Sequence, residues 1–150
     1  MPAEHPTVVH VDDLAVEGWD DPGRGSITWR TIFSSERTPT SGLTLGVAEL
    51  APDGTVGNPP HRHPPAEVYY VIAGEGVVTI NGETTPVRAG SAVFVPGDAE
   101  HSLANTGTST MRLLYAFAVD SFDDVMYVFS ASHPRQVRAS TKRQTPERAN

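Results

Sequence analysis

No stretch of this chain repeats its apolar residues with the 3.6-residue period of a helix; they come in runs of four to eight, each cut off by Gly, Pro, Asn or Asp. Such punctuation predicts short strands over Ser26–Phe33, Leu43–Leu50, Val68–Ile72, Val77–Ile80, Thr84–Val87, Ala92–Val95, His101–Asn105, Met111–Phe117 and Val125–Phe129. Asn81-Gly82 between VVTI and ETTPV is the strongest turn signal, because both central residues of a type I′ hairpin need positive φ. Short strands at regular spacing make the fold all-β, a sandwich or barrel. Alternation puts Ile27, Trp29, Thr31 and Phe33 on one face, and Met111, Leu113, Tyr115 and Phe117 on another; those faces should line the interior.

A chain of 150 residues closes one core and is too short for two. We divide it into an N-terminal arm over 1–25, a barrel over 26–132 and a tail over 133–150. The tail holds Arg135, Arg138, Lys142, Arg143 and Arg148 against Glu147, a charge of +4, leaving −11 on residues 1–132. Almost devoid of apolar residues, it cannot offset its ordering entropy and is expected to be mobile. The acidic body argues against nucleic acid as partner. No apolar run approaches the roughly 18 residues that span a bilayer, and the start lacks a secretory leader, so the expected compartment is the cytoplasm, away from membrane. Absence of cysteine removes disulfides, iron–sulfur clusters, thiolate zinc and a cysteine nucleophile.

Any metal must then be held by His and carboxylate, and the chain offers such a set. His61, His63 and Glu67 fall within seven residues, and His101 follows a strand later. Three imidazoles and a carboxylate suit one divalent transition ion, Fe, Mn, Ni, Zn or Cu. Two apart on an extended chain, His61 and His63 project to one face. Pro64-Pro65 interrupts that strand, since proline cannot donate a ladder hydrogen bond. If parity survives the interruption, Glu67, Tyr69 and Val71 point inward and Tyr70 outward. Asn105 is expected to fix a turn.

The spacing H-x-H-x3-E-x6-G at His61, His63, Glu67 and Gly74, followed by G-x5-P-x4-H-x3-N at Gly90, Pro96, His101 and Asn105, resembles the two motifs of the cupins. Two glycines depart from the pattern: Gly54 is displaced by one, and Gly97 adjoins Pro96. The resemblance implies a single-domain double-stranded β-helix, a jelly-roll barrel, with His61, His63, Glu67 and His101 holding one Fe, Mn, Ni or Zn ion. The stretches SGLTLGVAELAPDG, HRHPPAEVYYV, GDAEHSLAN and FAVDSFDDVMYVF are similar to small cupin lyases that cleave dimethylsulfoniopropionate to dimethyl sulfide and acrylate. That likeness implies Tyr69 as the base that removes the α-proton and Tyr127 as a second catalytic tyrosine. It also implies a homodimer in which an N-terminal strand, here Thr7–Val11, adds to the neighbouring barrel. The arginine of the lyase segment is missing, since Ser121 lies between Asp120 and Phe122.

The expected activity is a metal-dependent lyase acting on a small carboxylate-containing molecule. Trp29, Phe33, Tyr115 and Phe117 form the expected substrate pocket, with Tyr69 and Tyr127 completing an aromatic wall on which a cationic group is favoured by roughly 0.5–2 kcal/mol. The same ligand set also serves an Fe(II) dioxygenase, an isomerase or a non-catalytic metal- or ligand-binding module.

Overall fold

A computed structural model describes residues 6–52, 57–130 and 136–138. Two six-stranded antiparallel sheets face one another and close into the expected jelly-roll barrel. The first has the order β1 (Glu17–Asp21), β2 (Gly25–Phe33), β3 (Thr44–Leu50), β10 (Met111–Phe117), β5 (Glu67–Ala73), β8 (Ala92–Val95). The second runs β12 (Gln136–Arg138), β11 (Met126–Phe129), β4 (Asn58–Arg62), β9 (His101–Asn105), β6 (Glu75–Ile80), β7 (Glu83–Arg88). No helix among the described residues is long and apolar enough to cross a membrane.

Alternation builds the core. Met111, Leu113, Tyr115 and Phe117 are buried while the residues between them are half-exposed, and Glu67, Tyr69 and Val71 turn inward with Tyr70 out, so parity survives the two prolines. Asn81 and Gly82 take φ of 48° and 83°, as the β6–β7 hairpin requires. Asn105 fixes a turn as expected, donating to Leu50 and Ser109 carbonyls and accepting from Gly107 N–H.

The ends differ from expectation. Glu17–Asp21, assigned to the arm, pairs along its whole length with β2 and turns Trp19 into the core. Residues 6–10 carry no strand, and Val11–Asp13 is one 3-10 turn tied by Arg30, which donates to the Val11 carbonyl at 3.2 Å; Thr7–Val11 is therefore no edge strand of its own barrel. Within the segment read as a mobile tail, Gln136–Arg138 pairs with β11. The remainder of 133–150, with residues 1–5, lies outside the described residues.

Candidate metal centre

β4 and β9 lie side by side, and His61 stands opposite His101 across the pair. Their ring centroids are 4.2 Å apart, and His63 approaches His101 to 4.9 Å. Glu67 opens β5 on the other sheet and brings its Oε1 to 3.4 Å from His101 Nε2 and 3.7 Å from His63 Nε2. The turn before β9 is pressed against the first histidine segment: Asp98 N–H donates to the His63 carbonyl at 2.8 Å, and a side chain at Gly97 would collide with the Pro64 carbonyl. Two segments far apart in sequence are thus locked together at the backbone.

All four side chains are at least 96% buried, so each polar atom needs a partner. Each imidazole uses Nδ1 to bond a backbone carbonyl: His61 to Pro59 at 2.7 Å, His63 to Pro65 at 2.8 Å and His101 to Ala99 at 2.8 Å. A carbonyl only accepts, so Nδ1 carries the proton and Nε2 keeps its lone pair, the arrangement that aims a ligating histidine. Ligand nitrogens of the three imidazoles lie within 4.8 Å of one another. His63 Nε2, His101 Nε2 and Glu67 Oε1 have no hydrogen-bond partner. An orphaned buried polar atom costs about 1–3 kcal/mol, so a cluster of three facing one point calls for a cation among them. The donor set fits one divalent transition ion with coordination positions to spare.

Electrostatics agree. Burial, reinforced by the charge of neighbouring His101, lowers the His61 pKa to about 3 and keeps the ring neutral, as a ligand must be. For Glu67 burial acts upward, but His101 and His63 outweigh it and hold the carboxyl at about 2.

A small cavity opens beside this cluster and is lined by His61 and Glu67 together with Trp19, Ile27, Trp29, Ala48, Asn58, Tyr69, Leu103, Leu113, Tyr115, Phe122 and Tyr127. Of the expected pocket residues, Trp29 and Tyr115 line it and Phe33 and Phe117 do not. A bulge after Thr31 sets Phe33 opposite Leu45, whose parity is outward, and so takes Phe33 off the inner face. Phe117 packs edge-on against His63, with centroids 5.2 Å apart, and backs the ligand instead of the cavity. Trp19, Asn58 and Phe122 were not expected at the site; they ride on β1, β4 and the short 3-10 turn Phe122–Asp124.

Tyr69 and Tyr127 both reach the cavity from the two sheets. Burial, with the Glu67 charge behind it, pushes the Tyr69 phenol well above its ordinary value near 10, against a smaller opposing influence of the Asn58 side chain. Tyr127 is raised likewise, its ring 5.2 Å from those of both His61 and His63. Among the described residues no Lys or Arg lines the cavity. Arg30 and Arg112 instead face Asp12 and Glu49.

Comparison with known proteins agrees with this geometry. The cupin domain family model matches residues 46–117. Dimethylsulfoniopropionate lyase DddW of Ruegeria pomeroyi is 37% identical over 127 residues, 85% of this chain and 82% of that protein. Among solved structures, the polyketide cyclase RemF from Streptomyces resistomycificus superimposes with a TM-score of 0.65 at 25% identity, covering 75% of this chain and 79% of its own. A predicted oxalate decarboxylase from Thermotoga maritima gives 0.65 at 26% identity, covering 75% and 99%.

Proposed function

The chain belongs to the cupin family, and on that premise we propose that it is a metal-dependent lyase for a short carboxylate carrying a cationic leaving group, dimethylsulfoniopropionate being the substrate that fits. The observation that carries this reading is the cavity itself, which joins the histidine cluster to an aromatic wall on which, among the described residues, no Lys or Arg stands. A sulfonium is favoured over such ring faces by roughly 0.5–2 kcal/mol. His61, His63, Glu67 and His101 would hold the ion. Bound there, a divalent ion supplies a Lewis acid for the substrate carboxylate and offsets the Glu67 charge.

This chain's own residues do the rest. Trp19, Trp29, Phe122 and Tyr127 pack edge to face and keep water from the reacting carbons. Burial holds the Tyr69 phenol protonated, and a bound divalent ion together with the substrate's own sulfonium would oppose that shift and favour the phenolate. As phenolate, Tyr69 takes up the proton α to the carboxylate; the freed electron pair forms the carbon–carbon double bond, the carbon–sulfur bond breaks, and sulfur leaves with its bonding pair as dimethyl sulfide. Acrylate and a proton remain. Tyr127 shapes the site by packing on His61 and His63.

The working unit in this reading is a homodimer. Val68, Tyr70, Ile72 and Phe94 are 41–65% exposed on the outer face of β5 and β8, an apolar surface at a sheet edge that a second copy would cover. The decisive experiment is dimethyl sulfide release from dimethylsulfoniopropionate by the iron, manganese, nickel and zinc forms. Release by any of them, lost in Tyr69→Phe with the metal retained, is expected; no release by any form removes the substrate assignment.

A further inference from the structure

We infer that Phe122 is the movable wall of the cavity and that Glu36 is its latch: ligands enter when Ser34 and Ser121 release one carboxylate oxygen and the phenyl ring swings outward. Any ligand needs such access, whatever the reaction, so this stands apart from the lyase reading. Every residue lining the cavity except half-buried Ile27 is at most 7% exposed, and Ile27 is pinned opposite Trp19 in the β1–β2 ladder. A ligand therefore reaches His61 and Glu67 only after part of the wall has moved. Side chains on paired strands cannot leave without breaking ladder bonds, and all the lining residues but one lie on strands. Phe122 is that one; it sits on the single 3-10 turn Phe122–Asp124, between β10 and β11.

Side chains hold this turn in place. Phe122 N–H donates to Ser34 Oγ at 2.9 Å, and the hydroxyls of Ser34 and Ser121 both donate to Glu36 Oε2. One oxygen thus grips the turn from two directions. The Glu36 side chain is 31% exposed, so water can take the place of either hydroxyl there and the grip can be released. Both ends of the moving piece are anchored: Ser35 N–H donates to the Asp120 carbonyl at 2.8 Å, and Val125 is fully buried. Only Ser121–Asp124 has to pivot. Arg37, next to the latch, donates to both Glu17 oxygens and ties the loop after β2 to the strand that carries Trp19. The ring held shut lies 5.9 Å from Trp29 and 6.2 Å from Tyr127, centroid to centroid, so its departure uncovers the aromatic wall and leaves the ladders intact.

Trp19 and Trp29 are the only tryptophans of the chain and both line the cavity, so quenching of their fluorescence by acrylamide, a small neutral molecule, reads the opening. In the full chain without denaturant, Glu36→Ala and Ser121→Ala are each expected to raise the quenching constant about threefold or more. Glu36→Gln keeps an acceptor and should raise it less. Phe122→Ala removes the wall itself; adding Glu36→Ala to it should change the constant by less than about 1.5-fold, because the latch then holds nothing. Val78→Ala thins the core on β6 away from the cavity and should stay within about 1.5-fold of wild type, which separates opening of the turn from general loosening. If Glu36→Ala does not fold, Ser121→Ala takes its place in both backgrounds. No rise in the latch variants, an equal rise in Val78→Ala, or an undiminished rise on top of Phe122→Ala overturns the inference.

Discussion

His61 and His101 face each other across adjacent antiparallel strands, and each ring is tethered through Nδ1 to the carbonyl of the residue two positions before it. The tethers fix both tautomers without help from an ion. His101→Ala should therefore leave a folded barrel that no longer responds to metal. At a metal concentration one hundred times Kd, the wild type should gain about 2.7 kcal/mol in denaturant melts and the variant almost nothing. Equal gains would mean that the ion binds elsewhere.

Gly97 lets the second histidine segment touch the first, since a Cβ there would meet the Pro64 carbonyl, which cannot move aside like a side-chain tip. Gly97→Ala should cost about 1–3 kcal/mol of stability and weaken metal affinity as His101 is pushed away from His63. Melting curves and metal titration check both; unchanged affinity would show that the segments are not coupled.

Tyr69→Phe should lower kcat about 10²- to 10⁴-fold while metal content stays at the wild-type level. Tyr127→Phe keeps the ring that packs on His61 and His63 and should lose less than about tenfold. Reversal of that order in steady-state assays would exchange the roles of the two tyrosines.

Much of this was legible in the chain. Ala92–Val95, His101–Asn105 and Met111–Phe117 form strands with the boundaries expected, because apolar alternation there ends at glycine, proline or asparagine. The spacing also foreshadowed a geometric cluster: His61, His63 and His101 offer atoms within 4.8 Å of one another, and Glu67 lies 3.7 Å from His63 and 3.4 Å from His101. β1 was not legible and β4 only at its histidine end: EGWDD has one apolar side chain and becomes a strand only by pairing with β2, while His61 was read on extended chain but the start of NPPHR carries two prolines, the residues that argue against a strand. Trp19 and Asn58 were missed at the site for the same reason. A lone tryptophan in an acidic segment was the available signal for the first; for the second a slip in the β4–β9 register between Asn58 and His61 reverses the parity that sequence reading must assume. Phe33 was misplaced by the same kind of event, the bulge in β2.

Glu36 accepts hydrogen bonds from Ser34 and Ser121 and so joins the loop after β2 to the turn that carries Phe122. Burial acts to raise its pKa, but the two serine hydroxyls and Arg37 outweigh it and hold it below 4.5. A depressed carboxyl stabilises the fold above its unfolded value, and that contribution is lost as pH falls through the folded one. Glu36→Gln should thus be less stable than wild type at pH 7, with the gap closing below pH 4.5. A gap that persists in acid would rule out the ionised form as the source.

Phe94 is 65% exposed beside Val68 on the outer sheet face. Phe94→Lys should convert a dimer to a monomer in sedimentation equilibrium, raising the dissociation constant about tenfold or more, without changing metal content. A wild type that sediments as a monomer would reject the dimer.

Pro59 and Pro65 supply the carbonyls that anchor His61 and His63, and proline stiffens the chain on either side of the pair. The nest for the ion is then rigid from the moment the barrel closes. Since the backbone and not an ion sets the positions of these rings, replacing one divalent ion by another should leave the fold standing.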